Sequence, residues 1–222
     1  MTAKLFIQAI IKIIAGIVAM GLLIFLPAGT FFKNGILLMG ILFVPMLVAG
    51  IVMMCKNPDL LKKRLNVKEK QHQQRMVVAL SGLMFIAGFV AAGLTIRFNW
   101  YLLPSWVTYA FAAVFLAGYI LYAVVLKENA YLSRTVEVQK GQTVVDTGLY
   151  GIVRHPMYSA TLLMFLAMPL ILGSVYAFVI FLAYPFIIAK RIKAEEALLE
   201  KELEGYSEYK KKVKYCLIPF IW

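Results

Sequence analysis

The chain has 222 residues, 62% of them hydrophobic and 15% charged, with a mean hydropathy of +0.82 and a formal net charge of +12. Such a composition excludes an ordinary soluble domain and marks an integral membrane protein. The positive charge does not point to nucleic acid, because the basic residues sit in short segments between long uncharged ones, the distribution set by membrane topology and anionic lipid. Cys55 and Cys216 lie far apart beside lysine-rich segments expected in the cytoplasm, so neither a disulfide nor a thiolate metal site is indicated.

Residues 5–26 form the first predicted span, close to the ~20 apolar residues needed to cross hydrocarbon, with Lys12 placed to snorkel to the near surface. No small-residue cleavage site precedes a polar chain, so this segment reads as a retained helix. After a short turn at Pro27-Ala28-Gly29 and Lys33-Asn34-Gly35, a second span covers 36–54. Residues 55–75 carry seven Lys or Arg against Asp59 and Glu69 and must lie in water. There, Asn57-Pro58-Asp59 marks a helix start, Leu60, Leu61 and Leu65 make one apolar stripe, and His72 sits solvated among glutamines. Spans three and four, 76–96 and 102–126, flank a turn whose Trp100 and Tyr101, with Trp106 and Tyr109, suit an interfacial belt. Small residues at Ala87, Ala91, Ala92, Ala112, Ala113, Ala117 and Gly118 allow close helix approach.

The loop 127–147 shows a short alternation, Thr135-Val136-Glu137-Val138, then Lys140-Gly141, which predicts a small hairpin. From 157 to 189 there is no Asp, Glu, Lys, Arg or His, a stretch too long for one crossing. Divided at Pro169 and Gly173-Ser174, it gives two helices of roughly 16 residues, about 24 Å each, enough to reach across most of a thin bilayer. The prediction is an all-α protein of about six transmembrane segments, the last two a tight hairpin, with a cytoplasmic C-terminal helix. Residues 1–126 would be a four-helix scaffold and 127–222 the catalytic region. Lys and Arg fall almost wholly on one side of this arrangement, which puts both termini and the loop before the hairpin in the cytoplasm.

Chemistry concentrates just before that hairpin. Arg154-His155-Pro156-Met157-Tyr158 holds a fixed cation, one of two histidines, a proline suited to a first helical turn and a phenol one turn on. Helix-boundary chemistry alone would account for each of these residues. Beyond the hairpin come Arg191 and the adjacent carboxylates Glu195 and Glu196. An ion pair between Arg191 and Glu195, four apart, would be worth only a few tenths of a kcal/mol. A hairpin joins its two ends, however, so 154–158 and 191–196 are expected to be neighbours able to hold a ligand carrying both charges.

These two segments, with Gly148-Leu149-Tyr150 and the run Tyr206-Ser207-Glu208-Tyr209-Lys210-Lys211-Lys212-Val213, resemble the isoprenylcysteine carboxyl methyltransferase family and the related membrane phospholipid methyltransferases, mainly over 135–220. The sequence departs from the family pattern at Leu149, often proline there, and at Ala160, often glycine. The resemblance implies a cytosol-facing S-adenosylmethionine pocket made by the hairpin and tail, and a lipophilic substrate entering from the bilayer. By position it makes His155, Tyr158, Glu195 and Glu196 the cofactor contacts, with the Gly148 to Tyr150 turn as wall, and Arg154 and Arg191 the groups that position the acceptor. No metal is expected.

Such chemistry needs few polar groups, since a sulfonium already activates the methyl and the protein need only align an acceptor and shield it. A carboxylate acceptor needs no base and can be held bidentately by a guanidinium. An amine acceptor, as in phospholipid N-methylation, must lose a proton to His155 or a glutamate. Ion and proton pathways place charges inside a bundle, and these spans lack them beyond Lys12, which speaks against a transporter or channel. A reductase on the related sterol-reductase scaffold would bind a nicotinamide cofactor instead.

Overall fold

A computed structural model of the chain describes the backbone of residues 2–56, 58–65, 72–129, 131–132 and 137–222; the side chains at 2–4, 59–60, 63–64 and 72–73 lie outside this description. The described residues are helical with no strand: α1 Thr2–Ala28, α2 Lys33–Lys56, α3 Pro58–Leu65, α4 His72–Arg97, α5 Ser105–Glu128, α6 Pro156–Ile171, α7 Val175–Phe181, α8 Tyr184–Glu202 and α9 Tyr206–Lys212. Five stretches are long and apolar enough to cross a membrane, namely Leu5–Ala28, Lys33–Lys56, Gln74–Arg97, Ser105–Glu128 and Val175–Glu202, while Pro156–Ile171 is a shorter apolar helix. The four predicted N-terminal spans are therefore present. The last of them starts later than expected, because Pro104 stands in extended conformation at the N-cap of α5.

The hairpin forms with two differences from expectation. Pro169 lies inside α6, and the chain turns only at Gly173, whose φ of +80° suits glycine. Ser174 then caps α7, accepting from the Ala177 amide at 3.1 Å, and its hydroxyl meets Thr95 at 2.7 Å, which ties the turn to α4. The returning arm is broken between α7 and α8. Pro185 sits in the first turn of α8 and has no N–H to offer the Phe181 carbonyl, so the helix restarts there.

Small residues set the helix contacts. A Cβ on Gly118 of α5 would lie 2.7 Å from Met164 Cγ and 3.2 Å from the Ala160 carbonyl on α6, so these helices meet almost backbone to backbone at the position where alanine departs from the family pattern. Gly93 does the same for α4 against α1, where an added Cβ would stand 2.5 Å from the Ile24 carbonyl. Apolar side chains from α1, α2, α4, α5, α6, α7 and α8, among them Ile24, Leu38, Phe115, Ile171, Phe181 and Ile192, make one continuous core.

Two local expectations change and one holds. Lys12 donates to the Leu65 carbonyl and so receives the end of α3, a more specific role than snorkelling. Helix α3 starts at Pro58 as the sequence suggests, with Leu61 buried, while Asn57 and the side chains of Leu60 and His72 lie outside the described residues. The predicted hairpin in the 127–147 loop is reduced to a turn. Gly141 has φ +73° and the Gln142 amide donates to Gln139, but no ladder flanks it among the described residues, and Thr135 and Val136 fall outside them.

Candidate active site

The chain enters α6 through a 3-10 turn, Gly148–Gly151, that the end of α5 holds in place. Glu128 Oε2 accepts the Leu149 amide at 2.9 Å, and a Cβ on Gly148 would lie 2.3 Å from Glu128 Oε1, so both space and a φ of +56° call for glycine there. Tyr209 of α9 donates to the Tyr150 carbonyl at 2.7 Å, which pins the same turn from the opposite side.

Pro156 opens α6 at a position where a missing N–H costs nothing, and this sets Arg154 and His155 just outside the first turn. The hairpin brings α8 back beside them. Arg154 Nε donates to Glu196 Oε1 at 2.7 Å, His155 Nε2 lies 3.2 Å from the same oxygen, and Lys210 Nζ stands 3.0 Å from Oε2. One terminal nitrogen of Arg154 also donates to the carbonyls of Val213 and Lys214, at 2.8 and 2.7 Å. Glu196 thus knots α6, α8 and α9 together, with the Arg154 and Glu196 side chains only 10% and 11% exposed.

Glu195 points elsewhere. Its Oε2 accepts the Tyr158 hydroxyl at 2.5 Å, and that hydroxyl accepts from Arg191 Nε at 2.9 Å, a chain of three groups across the hairpin. The Arg191 guanidinium also lies 6.0 Å from the centre of the Tyr158 ring, and His155 stacks on that ring at 5.6 Å. The expected meeting of 154–158 with 191–196 therefore occurs, and its two carboxylates have different surroundings.

An open cleft lies over this arrangement. Arg154, His155, Tyr150, Tyr158, Glu195, Tyr206 and Tyr209 line one side of it, and Tyr131, Leu132, Leu199 and Leu203 are among its other walls. Gly148, Arg191 and Glu196 are not part of the lining; they stand behind it and fix the groups that are. The Tyr206 hydroxyl is buried without a hydrogen-bond partner, one of two such side-chain atoms among the described residues. Sequence reading missed Glu128, Tyr206, Tyr209 and Lys210. The tyrosines and Lys210 lie in the tail run 206–213 on which the resemblance partly rests; that resemblance implies that the tail joins the pocket, but nothing in the spacing shows which of its side chains do so.

Burial by itself would push the Glu196 carboxyl upward, but hydrogen bonds from His155, Arg154 and Lys210 outweigh it and hold the group well below its ordinary 4.5. A group depressed on folding stabilises the fold above its unfolded pKa and ceases to do so as pH falls through the folded one. The thermal midpoint is accordingly expected to drop below about pH 4.5, where the gap between wild type and Glu196→Gln should narrow. A gap that stays constant from pH 7 to 3 would mean the knot contributes no charge-dependent stability. His155, Glu196 and Cys216 offer ligand atoms within 4.8 Å of one another. A cation there would face Arg154 and Lys210 on the same carboxylate, and burial pushes the Cys216 thiol up to about 11, away from the thiolate a metal needs.

The described residues form a helical bundle with five stretches long and apolar enough to cross a membrane and a polar cleft built on the two ends of one hairpin. Residues 109–201 match the isoprenylcysteine carboxyl methyltransferase (ICMT) family, which bears out the resemblance carried by the motifs. Among curated proteins, a Delta(14)-sterol reductase of Mus musculus is 30% identical over 91 residues, covering 40% of this chain and 22% of that protein. A Delta(14)-sterol reductase of Methylotuvimicrobium alcaliphilum is 25% identical over 135 residues, 54% of this chain and 32% of the relative. The chain thus spans between a fifth and a third of the length of these relatives.

Proposed function

We propose that this chain is an S-adenosylmethionine-dependent methyltransferase that modifies a lipophilic or amphiphilic acceptor reaching the cleft from the bilayer. The observation that carries the reading is the Arg191, Tyr158, Glu195 chain, which sets one carboxylate on the cleft wall within the stretch that matches the methyltransferase family. The residues present suit the cofactor. Glu195 would take its ammonium group, Arg154 and His155 its carboxylate, and Tyr150, Tyr158 and Tyr206 its apolar faces, with the unpaired Tyr206 hydroxyl as a donor. When bound, adenosylmethionine supplies an activated methyl group; the chain's own task is to align the acceptor and exclude water. Arg191 holds Tyr158, and with it the wall, in one orientation.

Residues 156–171 would serve as a sixth, short crossing, and the lysine-rich face with both ends of the chain would be cytoplasmic. Tags before Met1 and after Trp222 should both report cytoplasm and a label near Arg97 the other side; tags on opposite sides would end the six-span arrangement. A reductase is the second reading, favoured by the names of the two curated relatives. Equilibrium binding to the purified protein separates the two. Adenosylmethionine should bind and be displaced by adenosylhomocysteine, with no competition from NADPH. Binding of NADPH alone would establish the reductase reading. Labelled adenosylmethionine with membrane-lipid extracts would then identify the acceptor as carboxylate or amine.

A further inference from the structure

The segment after α9 does two things at once. Its backbone grips the start of α6: Arg154 N donates to the Tyr215 carbonyl and His155 N to that of Cys216, both at 3.0 Å, while the Ser159 hydroxyl donates to the Leu217 carbonyl at 2.6 Å. Ser159 lies three residues past Pro156, so Leu217 sits about 4.5 Å further along the axis of a helix that descends into hydrocarbon. The same segment then turns outward. Phe220, in the left-handed region at φ +66°, and Ile221 are 87% and 78% exposed, and Ile218 and Trp222 are exposed beside them. Among the described residues the Tyr215 ring lies against part of this apolar surface, 5.2 Å from that of Phe220, and Leu217 and Cys216 immediately before the surface are buried.

Lysine surrounds it. Lys211, Lys212 and Lys214 are all exposed, and a groove between the 3-10 turn and the tail is lined by Ile152, Tyr215, Pro219 and Phe220 together with Lys212 and Lys214. Asp146 offsets one of these charges, meeting Lys212 at 2.8 Å. Aromatic and aliphatic side chains bordered by lysine at the level where a helix enters the bilayer are the chemistry of an anionic lipid surface, with apolar groups below the headgroups and ammonium groups among them.

We propose that residues 211–222 form an interfacial docking surface for anionic phospholipid, in which Phe220, Ile221 and Trp222 insert among acyl chains, Lys211 and Lys214 meet headgroup phosphates, and the docked segment holds Arg154, His155 and Ser159 in place through its carbonyls. The site is thereby completed by the membrane it faces. This goes beyond the methyl-transfer reading, and its first measurement does not depend on that reading.

The 222-residue chain, reconstituted in phosphatidylcholine vesicles with and without about 30% phosphatidylglycerol, an anionic lipid of the kind that attracts juxtamembrane lysines, is compared with its Trp222→Phe variant, so that the difference signal reports Trp222. Lipids brominated near the headgroup end of the acyl chain should quench that signal at least twice as strongly as aqueous iodide does, and more strongly with phosphatidylglycerol present. Lys211→Gln with Lys214→Gln should remove the dependence on anionic lipid. Quenching by iodide alone would put the segment in water, and shielding from both quenchers would mean that protein covers it; either result overturns the proposal. So does equal quenching in the two lipid mixtures. In a second arm, Phe220→Asp with Ile221→Asp should speed hydrogen exchange of the Arg154 and His155 amides in vesicles at least tenfold. Unchanged exchange would detach docking from the site.

Discussion

Replacing Glu196 with alanine should unfold the site, whereas replacing Glu195 with glutamine should only empty it. The two carboxylates are adjacent in sequence, yet they occupy different sides of α8. Glu196 is shared by Arg154, His155 and Lys210 and is nearly removed from solvent, so deleting it strands a guanidinium that cannot rehydrate freely. Breaking a buried pair by removing one partner costs about 3–5 kcal/mol. Lys210 is partly exposed and Arg154 keeps the Val213 and Lys214 carbonyls, so about 2–3 kcal/mol is the expected loss, a drop on the order of 5–10 °C in thermal midpoint for a chain of this size. Cofactor affinity should fall with it, because α9 and the 3-10 turn carry Tyr206 and Tyr150 to the cleft. Glu195→Gln keeps a hydrogen-bond acceptor for Tyr158 and removes only charge. A charge-assisted contact is worth about 1.5–3 kcal/mol, so adenosylmethionine should bind roughly tenfold or more weakly with the midpoint unchanged. Equal midpoints and equal affinities in the two variants would show that the pair is not divided in this way.

Why the sequence could not separate these neighbours is a matter of distance along the chain. Hydropathy runs read the four N-terminal spans to within a few residues, because a bilayer demands ~20 apolar residues whatever they pack against. The hairpin was legible from the absence of charge over 157–189, and its closure from the motifs at either end. The break before Pro185 was legible in principle, since the proline stands in plain view, but an uncharged run gives no reason to choose it over Pro169. Pro169 stays in the helix because Gly173, two residues past the end of α6, supplies the turn. Glu128 and Lys210 left no such trace. One sits at the end of α5 and accepts from a turn 21 residues on, and the other lies in a lysine run that reads as a solvated face yet meets the Glu196 carboxylate of α8. Pairings at that range have no periodicity to betray them.

The two arginines, both expected to position the acceptor, likewise occupy different settings. Arg154 spans Glu196 and two tail carbonyls, and lysine can reproduce only part of that fork, so Arg154→Lys should lower the midpoint as well as turnover. Arg191 is the sharper case. Its Nε donates to the Tyr158 hydroxyl, its plane lies near the Tyr158 ring, and its own carbonyl accepts from Gln74 of α4, so its stem is held while its head orients the wall of the cleft. Lysine keeps the charge and loses both the Nε donor and the planar face. If charge at the membrane surface were all that mattered, Arg191→Lys would be silent. If Tyr158 must be held for the acceptor to align, the variant should insert normally and lose much less adenosylmethionine affinity than turnover, which should fall roughly tenfold, the consequence of losing about 1.4 kcal/mol of transition-state alignment. The measurement is kcat alongside cofactor Kd, and Tyr158→Phe, which removes the hydroxyl linking Arg191 to Glu195, should reproduce the loss in kcat and add nothing when combined with Arg191→Lys. Additive losses would separate the two residues, and near-normal turnover in Arg191→Lys would return Arg191 to the lipid headgroups.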